Sequence, residues 1–118
     1  MASATAGFAQ PSPNLVADVR AAIARNDFAL GETLVAADRA ARGASPQMLE
    51  ALSWLGRGAL AAKRWDAAEA YAQQTYDLAV AELSRRDIDQ EPRLPIALGA
   101  AIEVLAHASA ERDRKSVV

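Results

Sequence analysis

The chain contains no cysteine, which excludes disulfides, zinc-thiolate sites and thiol catalysis and leaves the redox compartment undetermined. It has a single histidine, His107, so any hydrolytic triad would have one choice of base. Aromatic residues number six and the β-branched residues do not cluster, which speaks against a sheet-built core. No stretch carries charge of one sign: 13 basic and 15 acidic residues are mixed along the chain and give a formal charge of −2. Phosphate backbones demand a sustained basic stripe, so nucleic acid is excluded as the expected partner. No apolar run approaches the roughly 18 residues needed to cross a bilayer, and a soluble chain without membrane insertion is expected.

What fills the sequence instead is alanine, with 30 copies among the 61 hydrophobic residues. Alanine is the strongest helix former and lets helices approach closely, so the expected fold is all-α. A length of 118 residues suits one compact domain. Residues 1–13, MASATAGFAQPSP, have no apolar period and are expected as a flexible leader before a domain spanning 14–118. Gly7 and Ala9 stand before Gln10 as small residues precede a signal-peptidase cut, but the charged and apolar parts of a signal peptide are missing. Localisation is therefore unassigned, with export as the open alternative.

Punctuation divides the domain into five expected helices. The first is capped at Asn14 and carries Leu15, Val16, Val19, Ala22 and Ile23 on one face, breaking at Arg25-Asn26-Asp27. The second starts near Phe28, turns Leu30, Leu34, Val35 and Ala37 inward and stops at Arg42-Gly43. Ser45-Pro46, an N-cap followed by proline at the first helical position, starts the third, over about 46–62. The fourth begins at Trp65-Asp66 and runs to about Arg86. The fifth, bounded by Pro92 and Pro95, carries Leu98, Ile102 and Leu105 to about Arg112, and short connections make antiparallel neighbours. Arg114–Val118 reads as a turn leading to a further helix, and a C-terminally truncated domain is expected.

A shift of 37 residues superimposes Arg20 on Arg57, Ala22 on Ala59, Ile23 on Leu60, Phe28 on Trp65 and Gly31 on Ala68. The second unit reads Leu52-x2-Leu55-Gly56-x2-Ala59, then Trp65, Ala68 and Tyr71, and on these residues it resembles the tetratricopeptide repeat (TPR). Leu52 stands for the family's leading tryptophan, Ala59 for its tyrosine and Val80 for its closing proline, and the spacing exceeds the family's usual length of about 34 residues. The resemblance covers about residues 14–86 and implies antiparallel hairpins stacked as a short right-handed superhelix. The stretch WDAAEAYAQQTYDLAVAEL…PIALGAAIEVLA also resembles helical regions that precede thioredoxin-like domains in some exported bacterial proteins. No redox chemistry carries over without cysteines.

The chemistry-bearing residues give no catalytic constellation. Glu103, His107 and Glu111 are spaced four apart and could offer a nitrogen and two carboxylates to a metal, but such spacing is ordinary on a solvated helix face. Gly56-Arg57-Gly58 lies within a helical run with no preceding strand, so it cannot cradle a phosphate. No cofactor, no metal and no enzymatic activity are expected. The TPR resemblance implies a concave groove lined by the first helix of each pair. Carried over residue by residue, it places Glu50, Ser53, Arg57, Leu60 and Ala61 there, with Val16, Arg20, Ile23 and Ala24 from the preceding unit. Trp54, one turn before Arg57, would wall the groove edge. The partner-binding set is Arg20, Glu50, Ser53, Trp54 and Arg57, suited to an acidic or C-terminal carboxylate on a peptide. The expected function is a protein or peptide interaction scaffold. The alternative is a non-catalytic dimerisation or spacer segment of a longer, thioredoxin-like bacterial protein, with a homodimer formed through the fourth and fifth helices.

Overall fold

A computed structural model describes residues 12–85 and 91–116. Among them the chain is all-α, with five helices: α1 (Leu15–Ala24), α2 (Phe28–Arg42), α3 (Pro46–Ala61), α4 (Trp65–Leu83) and α5 (Arg93–Ser116). Most of the leader expected over 1–13 lies outside the described residues. Its last part departs from expectation: Ser12 is buried, its hydroxyl donates to Asp18 and accepts from the Asn14 amide. Asn14 occupies the N-cap position of α1 without a side-chain bond, and its own amide donates to the Ser12 hydroxyl.

The other local signals act through local hydrogen bonds. The Asp27 carboxylate accepts from the Leu30 amide and opens α2. Ser45 accepts from the Met48 amide, with Pro46 at the first helical position of α3. Gly43 closes α2 at φ 75° and ψ −160°, a region essentially reserved for glycine. Residues 86–90, which follow α4 and include the expected helix end near Arg86, lie outside the described residues. α5 continues through Arg114 to Ser116, where a turn was expected, while Val117 and Val118 are outside them.

The two hairpin turns are copies of one another. At the first, Asn26 N–H donates to the Ile23 carbonyl at 2.8 Å and Asp27 N–H to the Ala22 carbonyl at 2.8 Å. At the second, Lys63 N–H donates to Leu60 at 3.0 Å and Arg64 N–H to Ala59 at 2.9 Å, the same bonds 37 residues on. This pair of bonds is the Schellman closure, and it requires a left-handed residue, here Asn26 at φ 60° and Lys63 at φ 61°. Asparagine tolerates that conformation, whereas at lysine it costs about 1 kcal/mol.

α3 is the one helix that packs substantially on all four others. Its buried residues include Met48, Leu49, Ala51, Leu52, Leu55 and Ala59, and the main core adds Leu15, Val19, Phe28, Val35, Tyr71, Ala72 and Val104. Leu94, Ala97 and Leu49 form a second cluster where α5 begins. Glycines set how closely the neighbours come. A Cβ on Gly58 would stand 2.6 Å from Cγ2 of Ile23, and one on Gly31 would stand 2.8 Å from Cδ2 of Leu55. A Cβ on Gly56 would meet Ala72, Tyr71 and Val104 at 3.7–3.8 Å, which is ordinary contact.

α5 corrects one expectation. Its Arg93–Arg114 stretch, 22 residues, is long and apolar enough by composition to cross a membrane. Glu103 and His107 interrupt the run without offsetting so many alanines. In the fold the same composition serves the core, where Leu94, Ala97, Ala100, Ala101, Val104 and Ala108 are buried.

Two polar features tie helices together. Asp38, fully buried, accepts from Arg42 Nη1 at 2.6 Å and from Ser45 Oγ at 3.2 Å, clasping the end of α2 to the start of α3. The Tyr71 phenol of α4 hydrogen-bonds Glu32 of α2; burial, then the Glu32 charge and this bond, push its pKa up to about 12, against a smaller opposing effect of Arg64.

The glycine contacts lead to opposite outcomes for two neighbouring substitutions. Gly58→Ala drives a methyl into a stiff β-branched side chain and should destabilise the fold by about 1–2 kcal/mol. Gly56→Ala has room and should gain up to about 1 kcal/mol of helix propensity. Urea unfolding of both reads the difference, and equal midpoints would refute the packing account. Tyr71 supplies a pH dependence. Its phenol titrates near 10 when unfolded and about 12 when folded, so its contribution is complete below pH 10 and lost as pH rises through 12. Tyr71→Phe should flatten the alkaline fall of the urea midpoint between pH 9 and 12, and an unchanged profile would count against the buried phenol.

Candidate partner-binding groove

Between α1 and α3 runs a groove of about 290 Å³ lined by Arg20, Ile23, Ala24, Trp54, Arg57, Gly58 and Ala61. Its shape follows from the packing beneath it. Ile23 meets Gly58, where the two helices leave no room for a Cβ. One turn earlier on each helix stand Arg20 and Trp54. The half-buried indole lies in the mouth and the Arg20 guanidinium covers its face, 4.2 Å from the ring centroid. This cation–π contact holds both side chains in one place.

The floor is apolar, made by Ile23, Ala24, Gly58 and Ala61, and the charge sits on the rim. Arg57 is exposed, and its Nη1 stands 3.5 Å from Glu103 Oε1 of α5. The arrangement offers an apolar seat, an aromatic wall and two guanidinium groups. A carboxylate next to an apolar side chain matches all three.

Of the expected partner-binding residues, the groove brings together Arg20, Trp54 and Arg57, along with Ile23, Ala24 and Ala61 from the wider expected surface. Glu50 and Ser53 are not among its lining residues. Ser53 is buried and its hydroxyl donates to the Glu50 carbonyl at 2.6 Å, so it is absorbed by its own helix. Glu50 lies one turn before Trp54, beyond the mouth, where Arg93 Nε donates to it at 3.0 Å. Leu60 packs against the core. Val16 lines a different cleft with Pro13, Asn14, Gln47 and Arg93. Gly58 is the groove residue that sequence reasoning missed as a lining group. Its i+4 spacing from Trp54 is the signal that marked it.

A second, smaller cavity of about 160 Å³ lies over Leu52 and Leu55, between α2 and α4, with Glu32, Arg39, Tyr71 and Gln74 around it. Its residues follow helical spacing within each helix, but bringing the faces of three helices together is a tertiary fact. Near the end of α5, Glu103 turns to Arg57 and Glu111 to Arg114 at 3.1 Å, while His107 is exposed. Among the described residues no group of three or more His, Cys, Asp or Glu side chains could hold a metal ion. The chain matches no family model, no curated protein and no solved structure.

Proposed function

We propose that the chain is a protein-protein interaction scaffold, a TPR-like stack of helical hairpins that binds a peptide or partner protein in the groove between α1 and α3. The peptide seats an apolar side chain on Ile23, Ala24 and Ala61, lies against Trp54 and presents a carboxylate to the guanidinium rim. The observation that carries this reading is the convergence of Arg20, Trp54 and Arg57 on one apolar groove. Two facts support the stacked arrangement: the hairpin turns share their hydrogen bonds at a spacing of 37 residues, and α3 packs on both preceding and both following helices.

A display library of peptides with free C-termini, panned against the purified chain, tests this reading. Recovered sequences should place an apolar side chain beside a carboxylate. Arg57→Ala and Trp54→Ala should each weaken a recovered peptide about tenfold in an anisotropy titration, a change of roughly 1.4 kcal/mol. Unchanged affinity in both variants would remove the groove from the account.

A second reading, an assembly or spacer segment, is favoured by a separate observation. The exposed large apolar side chains Tyr76 and Val80 belong to α4, and Ile96 and Ile102 to α5. Helical spacing puts Tyr76 and Val80 on the edge of α4 that carries Glu69, the residue Arg112 of α5 reaches. Under this reading the chain sediments as a concentration-dependent dimer and Ile102→Glu sediments as a monomer. A monomeric wild type at high concentration would dispose of it.

A further inference from the structure

The two guanidinium groups on the rim are held in different ways. Arg20 lies flat on the Trp54 ring, where it also completes the aromatic wall. Arg57 faces Glu103 at 3.5 Å, beyond the roughly 2.7–2.9 Å of a charge-assisted hydrogen bond. Both side chains are open to water, 42% exposed for Arg57 and 55% for Glu103. Other pairs in the fold are tighter, such as Arg42 with Asp38 at 2.6 Å and Arg93 with Glu50 at 3.0 Å. Long, solvated pairs of this kind hold weakly and exchange readily.

Glu103 does not line the groove. The next residue, Val104, is buried and stands beside Gly56 of α3, which fixes this part of α5 against α3. Glu103 therefore holds the Arg57 guanidinium from the α5 side of the groove.

We propose that Glu103 is a built-in competitor for the groove, holding Arg57 until a ligand carboxylate seated beside an apolar side chain replaces it. This rests on the peptide-binding reading of the groove. The exchange swaps one carboxylate for another on the same guanidinium, so the charge pairing is nearly neutral in free energy. The gain comes from the apolar group that the ligand brings onto Ile23, Ala24 and Ala61. A bare carboxylate brings no such group and does not displace Glu103. The competitor thus converts a sticky cationic rim into one that answers only to a carboxylate with an adjoining apolar side chain.

Three probes read this by titration of isotope-labelled protein followed by NMR: N-acetyl-leucine, its carboxamide counterpart N-acetyl-leucinamide, and acetate. N-acetyl-leucine should shift the Trp54 indole resonance, and acetate should not. Glu103→Gln should tighten N-acetyl-leucine about two- to five-fold, the range that an exposed ion pair supports, and leave N-acetyl-leucinamide unchanged. Glu111→Gln removes the same charge from the same helix and should behave as wild type. In an Arg57→Ala background the Glu103→Gln gain should vanish. The proposal is overturned by binding at Trp54 that Glu103→Gln leaves unaltered, by an equal gain in Glu111→Gln, or by a gain that persists without Arg57. If none of the probes shifts Trp54 in any variant, the groove reading fails and the competitor fails with it.

Discussion

Eight of the sixteen residues of α3 are buried, and the remainder of the architecture follows from how one helix can be covered on several sides. A helix with a single apolar stripe meets neighbours on one side, and covering it further requires places where side chains do not hold the neighbours off. Two contacts have such a place: α1 comes in at Gly58, where Ile23 crowds the position of the absent Cβ, and α2 offers Gly31 to Leu55. α4 and α5 meet Gly56 through Tyr71, Ala72 and Val104 at ordinary contact distance. The groove lies at the first of these: Gly58 and Ile23 line it, and the Trp54 indole stands four residues earlier on α3.

The hairpin turns show how far repetition goes. Both close with the same pair of hydrogen bonds around a left-handed residue, and both place a buried alanine, Ala22 or Ala59, four residues before it. The link between hairpins is built differently, from Gly43 and the buried Asp38 with Arg42 and Ser45. Its counterpart 37 residues later would fall in the C-terminal half of α4, which runs on to Leu83 without interruption. The repeat is thus a property of the turn within each hairpin and of the helices that flank it.

Helix boundaries were legible wherever a short-range bond sets them: Asp27, Ser45-Pro46 and Gly43 act on residues two to four places away. Burial of charge was not legible. Asp38 lies on the inner face of α2 because Arg42 and Ser45 satisfy it there, and only the folded corner brings Ser45 within reach. The groove was half legible. Trp54, Arg57, Gly58 and Ala61 follow the i, i+3, i+4, i+7 stripe of a helix face, so spacing alone links them. Ser53 is one residue, about 100° of rotation, off that stripe, and carrying the face over from the family glycine at Gly56 rather than from Gly58 placed it in the groove wrongly. Glu50 is on the stripe, but the presence of Arg93 beside it is a tertiary fact.

That last distinction explains why an overall charge of −2 does not describe the groove. Carboxylates are as near as cations in sequence: Asp18 precedes Arg20 by two residues and Glu50 precedes Arg57 by seven. The fold has already engaged them elsewhere, Asp18 with the Ser12 hydroxyl and Glu50 with Arg93. What is left at the rim is two guanidinium groups, one turned onto an indole and one facing a distant, solvated carboxylate. Summed charge counts every group equally, whereas an incoming ligand meets only those whose partners can be exchanged. In this chain the exchangeable cation that lines the groove is Arg57, whose partner among the described residues is the exposed side chain of Glu103.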